Sequence, residues 1–162
     1  MVEVGEKPVT ARAALARGRL SMRPETLAAL LSGRLPKGDA FPVARLAGIQ
    51  AAKETSRLIP LCHPLPLTSV EVRLHPRPEA EPPACAPQST AAVEIEAVAR
   101  AEARTGVEME ALVAVTVAGL ALYDMLKALD RDLVLGEVRL DEKSGGRGGD
   151  YRRGAAPSGA GD

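Results

Sequence analysis

The chain has 162 residues, 21 Lys and Arg against 21 Asp and Glu, 46% apolar and 2% aromatic side chains, and no Trp. That length is most simply one domain with a core of its own, and small enough for oligomerisation to add usefully to it. Zero net charge and so few rings disfavour a general nucleic-acid binder, which tracks phosphate charge and stacks bases, and equally a membrane-surface protein.

No run of roughly 18 consecutive apolar residues is present, which excludes a spanning helix at the level of sequence. Glu3, Glu6 and Lys7 stand where a signal peptide needs an apolar run, so the expected setting is the cytoplasm. Cys62 and Cys85 make no disulfide framework and fall in no zinc spacing.

In chain order, Thr10 to Met22 reads as an extended strand with Arg17 and Arg19 on one side and Gly18 and Leu20 on the other, although its Ala content also suits a helix. Pro24 opens a short helix carrying Leu27, Leu30 and Leu31, and Gly33 stops it. Asp39 is a good N-cap for a second helix carrying Val43, Leu46, Ala47 and Ile49. That helix must end by Ile59, because Pro60, Pro64 and Pro66 hold the following stretch extended as a rigid connector.

Val70, Val72 and Leu74 alternate with polar residues and predict a half-buried strand. The proline-rich stretch from Arg77 to Thr90 is expected to be a loop or hairpin tip whose composition argues against packing. A second alternating strand follows at Ala92 to Val98. From Glu108 to Asp130 the chain is almost wholly apolar or small and free of proline, which predicts a long helix buried on more than one side, by the sheet and by a second subunit. Leu133 to Leu140 alternates as a last strand, and the glycine-rich end is expected to be mobile after Tyr151. The order strand, helices, strand, strand, helix, strand is the plan of a ferredoxin-like α/β sandwich: an α+β fold with an antiparallel sheet packed against helices.

Charge is balanced overall and uneven locally. Residues 1 to 37 carry seven basic and three acidic groups, whereas residues 79 to 110 carry seven Glu against Arg100 and Arg104. Such asymmetry fits an anion site in one part and an acid/base site in another, but composition alone favours a salt-bridged surface or interface. Lys37 lies just before the Asp39 helix start, where free amides and a cation suit a phosphate; a plain turn with an N-cap accounts for the same residues. His63 sits between prolines, so its ring is held stiffly enough to serve a ligand as acid, base or hydrogen-bond donor, or it is a satisfied structural histidine. Glu108 and Glu110 open the long helix, which the helix dipole alone explains. Asp124 and Lys127 share a stripe with Val117, Leu120, Ala121 and Ala128, so both are expected to lose water and to pair, shift their pKa values or meet a ligand.

Several blocks together resemble the cyclic pyranopterin monophosphate synthase family, the molybdenum cofactor biosynthesis protein C group. They are Lys37-Gly38-Asp39, Ala44 to Lys53, Leu58 to Leu65 with its IPLCHPL core, Thr105 to Leu112 (TGVEMEAL), Tyr123-Asp124-Met125 with Lys127, and Val138 to Gly146. They stand in the family's order and cover about Met1 to Tyr151. The resemblance implies one domain over 1–151 with a flexible tail over 152–162. It also implies a lyase that converts 3′,8-cyclo-7,8-dihydroguanosine 5′-triphosphate to cyclic pyranopterin monophosphate and releases pyrophosphate, working as a homohexamer built as a trimer of dimers with active sites at subunit interfaces.

Carried onto this chain, Asp124 is the implied catalytic acid/base and Lys127 its partner. Leu61, Cys62, His63, Met109 and Glu110 line the substrate pocket, Glu108 joins the proton-transfer group, and Lys37, Lys143 and Arg12 hold the triphosphate. Glu3 stands where the family usually has Asp, and the loop from Arg77 to Thr90 is longer than usual. No cofactor is required by the residues and no carboxylate cluster has magnesium spacing, though pyrophosphate release leaves room for help from Mg²⁺. The competing class is a non-catalytic ferredoxin-like module that senses a nucleotide, which needs the basic groups but not the Asp124 and Lys127 pair.

Overall fold

In the computed structural model, which describes residues 1–146 and 148–154, the elements run β1 (Thr10–Met22), α1 (Pro24–Leu31), α2 (Ala40–Lys53), α3 (Thr55–Leu58), β2 (Leu67–Arg77), β3 (Ala91–Ala103), α4 (Glu108–Leu126), β4 (Val134–Ser144) and β5 (Tyr151–Arg152). The strands form one antiparallel sheet in the order β2-β3-β1-β4-β5. With α2 and α4 packed together on one face, this is the expected ferredoxin-like sandwich, extended by the short β5 at its edge.

β1 is central, paired along its length with β3 from Thr10 opposite Ala103 to Met22 opposite Ala91. Its alternation decides its conformation over the helix propensity of its alanines. Ala14, Ala16, Leu20 and Met22 are buried toward the helices, as are Val93, Ile95, Ala97 and Ala99 of β3. Small side chains on both layers let α4 lie close, and its Ala111, Ala114, Val115, Ala118 and Leu122 complete the core. The two helices also meet nearly backbone to backbone: a Cβ placed on Gly48 of α2 would lie 2.8 Å from the Ala114 carbonyl oxygen.

α4 has 19 residues and a mean hydropathy of 1.6, values that a bilayer span also reaches. Here it is the core helix, with the sheet on one side and α2 on another. It stops at Leu126 instead of running to Asp130. Lys127 caps it, Leu129 N–H turns back to the Leu126 carbonyl, and the Asp130 carboxylate is drawn away to the start of α1. The loop after β2 also differs from expectation, because it packs. Ala86 and Ser89 are buried, and the Ser89 hydroxyl donates to the Asp132 carbonyl at 3.3 Å. Its prolines stiffen the loop into a fixed shape, and a fixed shape loses less entropy on docking.

The sheet face away from the helices carries a ladder of ion pairs. Arg17 joins Glu96 at 2.7 Å and Asp141 at 2.8 Å, Arg73 joins Glu96 at 2.8 Å, and Arg77 joins Glu94 at 2.8 Å. Part of the uneven charge is thereby a salt-bridged surface, with Arg17 of β1 and Arg73 and Arg77 of β2 set against the β3 carboxylates Glu94 and Glu96. Of the expected tail over 152–162, residues 155–162 lie outside the described residues; Arg152 pairs with Glu142 across β5 and β4.

Candidate active site

Two polar clusters occupy opposite ends of α4. At the N-terminal end the chain leaves β3 through Thr105 and Gly106, so Glu108, Met109 and Glu110 form the first helical turn. The proline-stiffened connector brings Leu61, Cys62 and His63 to the same place, and the end of β4 brings Lys143. The result is two adjoining clefts of about 480 and 460 Å³ that share Lys7, Thr105, Gly106 and Glu108 as walls.

The larger cleft is lined by Lys7, Arg12, Arg104 and Lys143, with Glu108 as the facing carboxylate. Lys143 Nζ lies 3.1 Å from Glu108 Oε1, and Arg12 Nε donates to the Ala103 carbonyl at 3.3 Å. Gly146 has a φ of 87°, and a Cβ there would strike the Arg12 guanidinium. With hydrogen alone at that position the guanidinium crosses the turn into the cleft. The Thr10 hydroxyl, buried in the same wall, has no hydrogen-bond partner among the described residues. Cations around an open cleft, Arg12 and Lys143 on strands and Lys7 and Arg104 on the segments flanking them, suit an anion with several oxygens.

The second cleft is less polar. Glu110 is 4% exposed, and burial pushes its carboxyl above the ordinary range, with the Glu108 charge adding to the effect. Burial likewise raises the Cys62 thiol, assisted by Glu110. A carboxyl that holds its proton more readily than usual thus lies in one cleft wall with His63 and Met109.

At the C-terminal end of α4, Asp124 is gripped by two lysines. Its Oδ1 lies 2.7 Å from Lys127 Nζ, and its Oδ2 lies 2.6 Å from Lys37 Nζ, which also donates to the Asp124 carbonyl at 3.1 Å. Lys37 reaches this point because it stands on the turn between α1 and α2, whose Asp39 caps α2 by accepting from Phe41 N–H at 3.1 Å. Lys127 first and Lys37 second depress the Asp124 pKa to about 2, while Asp124 raises that of Lys127. The expectation that this pair loses water does not hold within one chain. Asp124 and Lys127 side chains are 53% and 57% exposed, because the stripe they share faces away from the sheet and Leu120 on it is 52% exposed.

From Glu108 to Asp124 the helix rises by about 24 Å at its standard pitch. One chain therefore gathers Arg12, Leu61, Cys62, His63, Glu108, Met109, Glu110 and Lys143 at one end, and Lys37, Asp124 and Lys127 at the other. Lys7, Thr10 and Arg104 are cleft residues that the sequence reading did not single out. Lys7 and Arg104 had a signal in their charge and in their closeness to the site blocks; the Thr10 hydroxyl had none.

A family model described as the MoaC family matches residues 1–146, a span that includes every residue of both clusters. The chain belongs to the MoaC family. Among relatives, it is 58% identical to the cyclic pyranopterin monophosphate synthase of Pelotomaculum thermopropionicum, over 94% of this chain and 84% of that one. It is 56% identical to the protein of the same name from Thermomicrobium roseum, over 94% and 86% of the two chains. The counterpart from Chloroflexus aurantiacus is 52% identical over 94% and 88%. MoaC-family membership thus extends to the whole sandwich, and the two clusters are parts of a family domain of nearly the relatives' full length.

Among the described residues no group of three or more His, Cys, Asp and Glu is arranged to hold a metal ion.

Proposed function

We propose that this chain is a cyclic pyranopterin monophosphate synthase of molybdenum cofactor biosynthesis, a cytoplasmic lyase. Its substrate is 3′,8-cyclo-7,8-dihydroguanosine 5′-triphosphate, and its products are cyclic pyranopterin monophosphate and pyrophosphate. The relatives' names support this reading, and one observation of the chain itself carries it: a cleft walled by Lys7, Arg12, Arg104 and Lys143 adjoins one walled by His63 and by Glu110, whose carboxyl burial shifts upward. A triphosphate fits the first and a purine-derived ring system the second.

Chemistry at the phosphates needs little from the protein except charge and position. A substrate hydroxyl oxygen attacks the α-phosphorus, the bond to the bridging oxygen breaks, and pyrophosphate leaves with the bonding electrons while the cleft cations take up its charge. The hydroxyl proton passes to a carboxylate. Asp124, ionised at neutral pH by its two lysines, is the acceptor, and Lys127 stays charged beside it to polarise the substrate. Glu108 and Glu110 handle protons in the ring rearrangement, with Leu61, Cys62 and Met109 as the cleft wall. Lys37, held beside Asp124, adds a cation for the phosphates. No cofactor is assigned to the chain; Mg²⁺ would enter as a companion of the triphosphate.

The 24 Å between the clusters supports a complete site that takes residues from two chains. Two copies with α4 antiparallel across a two-fold axis near Thr116 bring each Asp124 to the other copy's Glu108, and two complete sites form at once. Val43, Leu46 and Leu120, 45%, 57% and 52% exposed, supply an apolar surface for that contact. A homohexamer built as a trimer of dimers contains three such pairs.

Incubation with the cyclised GTP derivative, followed for pyrophosphate and pterin, tests the reading. The unmodified protein should turn over, and Asp124→Asn and Lys127→Ala should each lower turnover at least a hundredfold while the protein stays folded and assembled. Binding without product would favour the nucleotide-sensing module, and turnover retained by both variants would remove Asp124 and Lys127 from the chemistry.

A further inference from the structure

Asp130 is fully buried and touches neither cleft. Its Oδ2 accepts from the Arg23 backbone N–H at 3.0 Å and from the Thr26 hydroxyl at 2.9 Å, while its Oδ1 accepts from Asp132 N–H at 3.0 Å and lies 3.3 Å from Arg23 Nε. Arg23 answers by donating from its guanidinium to the Leu129 carbonyl at 2.8 Å. Arg23 is the N-cap of α1 and makes no side-chain cap of its own; a carboxylate from over a hundred residues away instead takes its backbone N–H and the hydroxyl of Thr26 in the first turn. It sits at the positive end of the α1 dipole.

The two segments joined here are the ones that carry the Asp124 cluster. α1 leads directly into the turn bearing Lys37, and the turn after α4 follows directly on Asp124 and Lys127. A half-exposed lysine and a half-exposed carboxylate have no packing to fix their separation, so it is set by what anchors their parent segments. We propose that Asp130 is a positioning residue for the reaction, a buried clamp that holds Lys37 in register with Asp124 and Lys127 by tying the start of α1 to the end of α4. The inference rests on the function proposed above for Asp124, but the clamp can be read without catalysis.

Two variants probe it: Asp130→Asn, which keeps the shape and removes the charge, and the milder Thr26→Val, which deletes one of the four contacts and preserves folding if the first does not. Hydrogen exchange on the assembled full-length protein should show at least tenfold faster exchange over residues 24–39 and 127–132, with β1, β3 and the first turn of α4 unchanged. Uniform acceleration, or none over 32–39, overturns the clamp. In kinetics, a variant acting through Lys37 should add less than twofold to the loss already caused by Lys37→Ala, yet multiply in full with Lys143→Ala at the far end of the helix. Full multiplication with both makes the residue merely structural and overturns its role in positioning. If the unmodified protein has no turnover, the proposed function fails by itself, and the exchange result still decides whether Asp130 clamps.

Discussion

The Asp124 carboxylate shows how a residue's context sets its chemistry. An aspartate on an exposed helix stripe would titrate near 3.9. Here Lys127 and, less strongly, Lys37 hold it down to about 2. The folded-state pKa is depressed, so the interaction is present in full above the unfolded value and is lost as pH falls through the folded one. The same sign means that Asp124 stays ionised far into acid, as the role proposed for it requires, while its lysines make it a weaker base than a free aspartate. Replacing Lys37 with Met removes one of the two cations and should move the acid limb of kcat/KM for the remaining activity upward, toward the ordinary aspartate value. Parallel pH profiles of the parent and Lys37→Met proteins check this, and a limb that stays put or moves down would show that Lys37 does not act on the Asp124 charge.

At the level of elements, the fold depends on how closely its two main helices approach. Gly48 has the lower helix propensity, and replacing it with Ala on an isolated helix would stabilise by about 1 kcal/mol. In this position the new Cβ would lie 2.8 Å from the Ala114 backbone oxygen, which cannot rotate away. The helices would have to separate, and overpacking of this kind costs about 1 to 3 kcal/mol. Gly48→Ala should therefore lower Tm by several degrees, and a rise in Tm would show that the pair has slack. Close packing of this sort was not legible in the sequence, since nothing local marks Gly48 as touching a residue so far along the chain. What was legible is whatever depends on near neighbours: the alternation of β1, Pro24 at the head of α1, Asp39 capping α2, and the proline-stiffened run that carries His63. Long-range partners explain the failures. α4 ended early because Asp130 is claimed by α1, and the proline-rich loop packed because Ser89 finds Asp132.

Across the whole molecule, the initial charge balance conceals two arrangements with different purposes. The sheet-face cations are spent on carboxylates of neighbouring strands, where exposed pairs contribute little each. Lys7, Arg12, Arg104 and Lys143 converge instead on one cleft. Nothing in the linear order separates the two sets; the fold does, by bringing Lys7 and Arg104 beside the strand residues Arg12 and Lys143. The site blocks could be recognised from the residues, but their division between the ends of α4 could not, because it depends on helix length and on which side the connector folds. That division makes a strong test of assembly. In a mixed pair containing one Asp124→Asn chain and one Lys143→Ala chain, one site receives both defects and the other receives neither. Each variant alone should keep only a small residual fraction of the parent activity. Unfolded and reassembled together in equal amounts, random pairing makes half the dimers mixed and restores one of their two sites, or about a quarter of the parent activity. Sites contained within single chains would give no recovery at any mixing ratio, and that outcome would refute the two-chain site even if the separate variants had confirmed the chemistry.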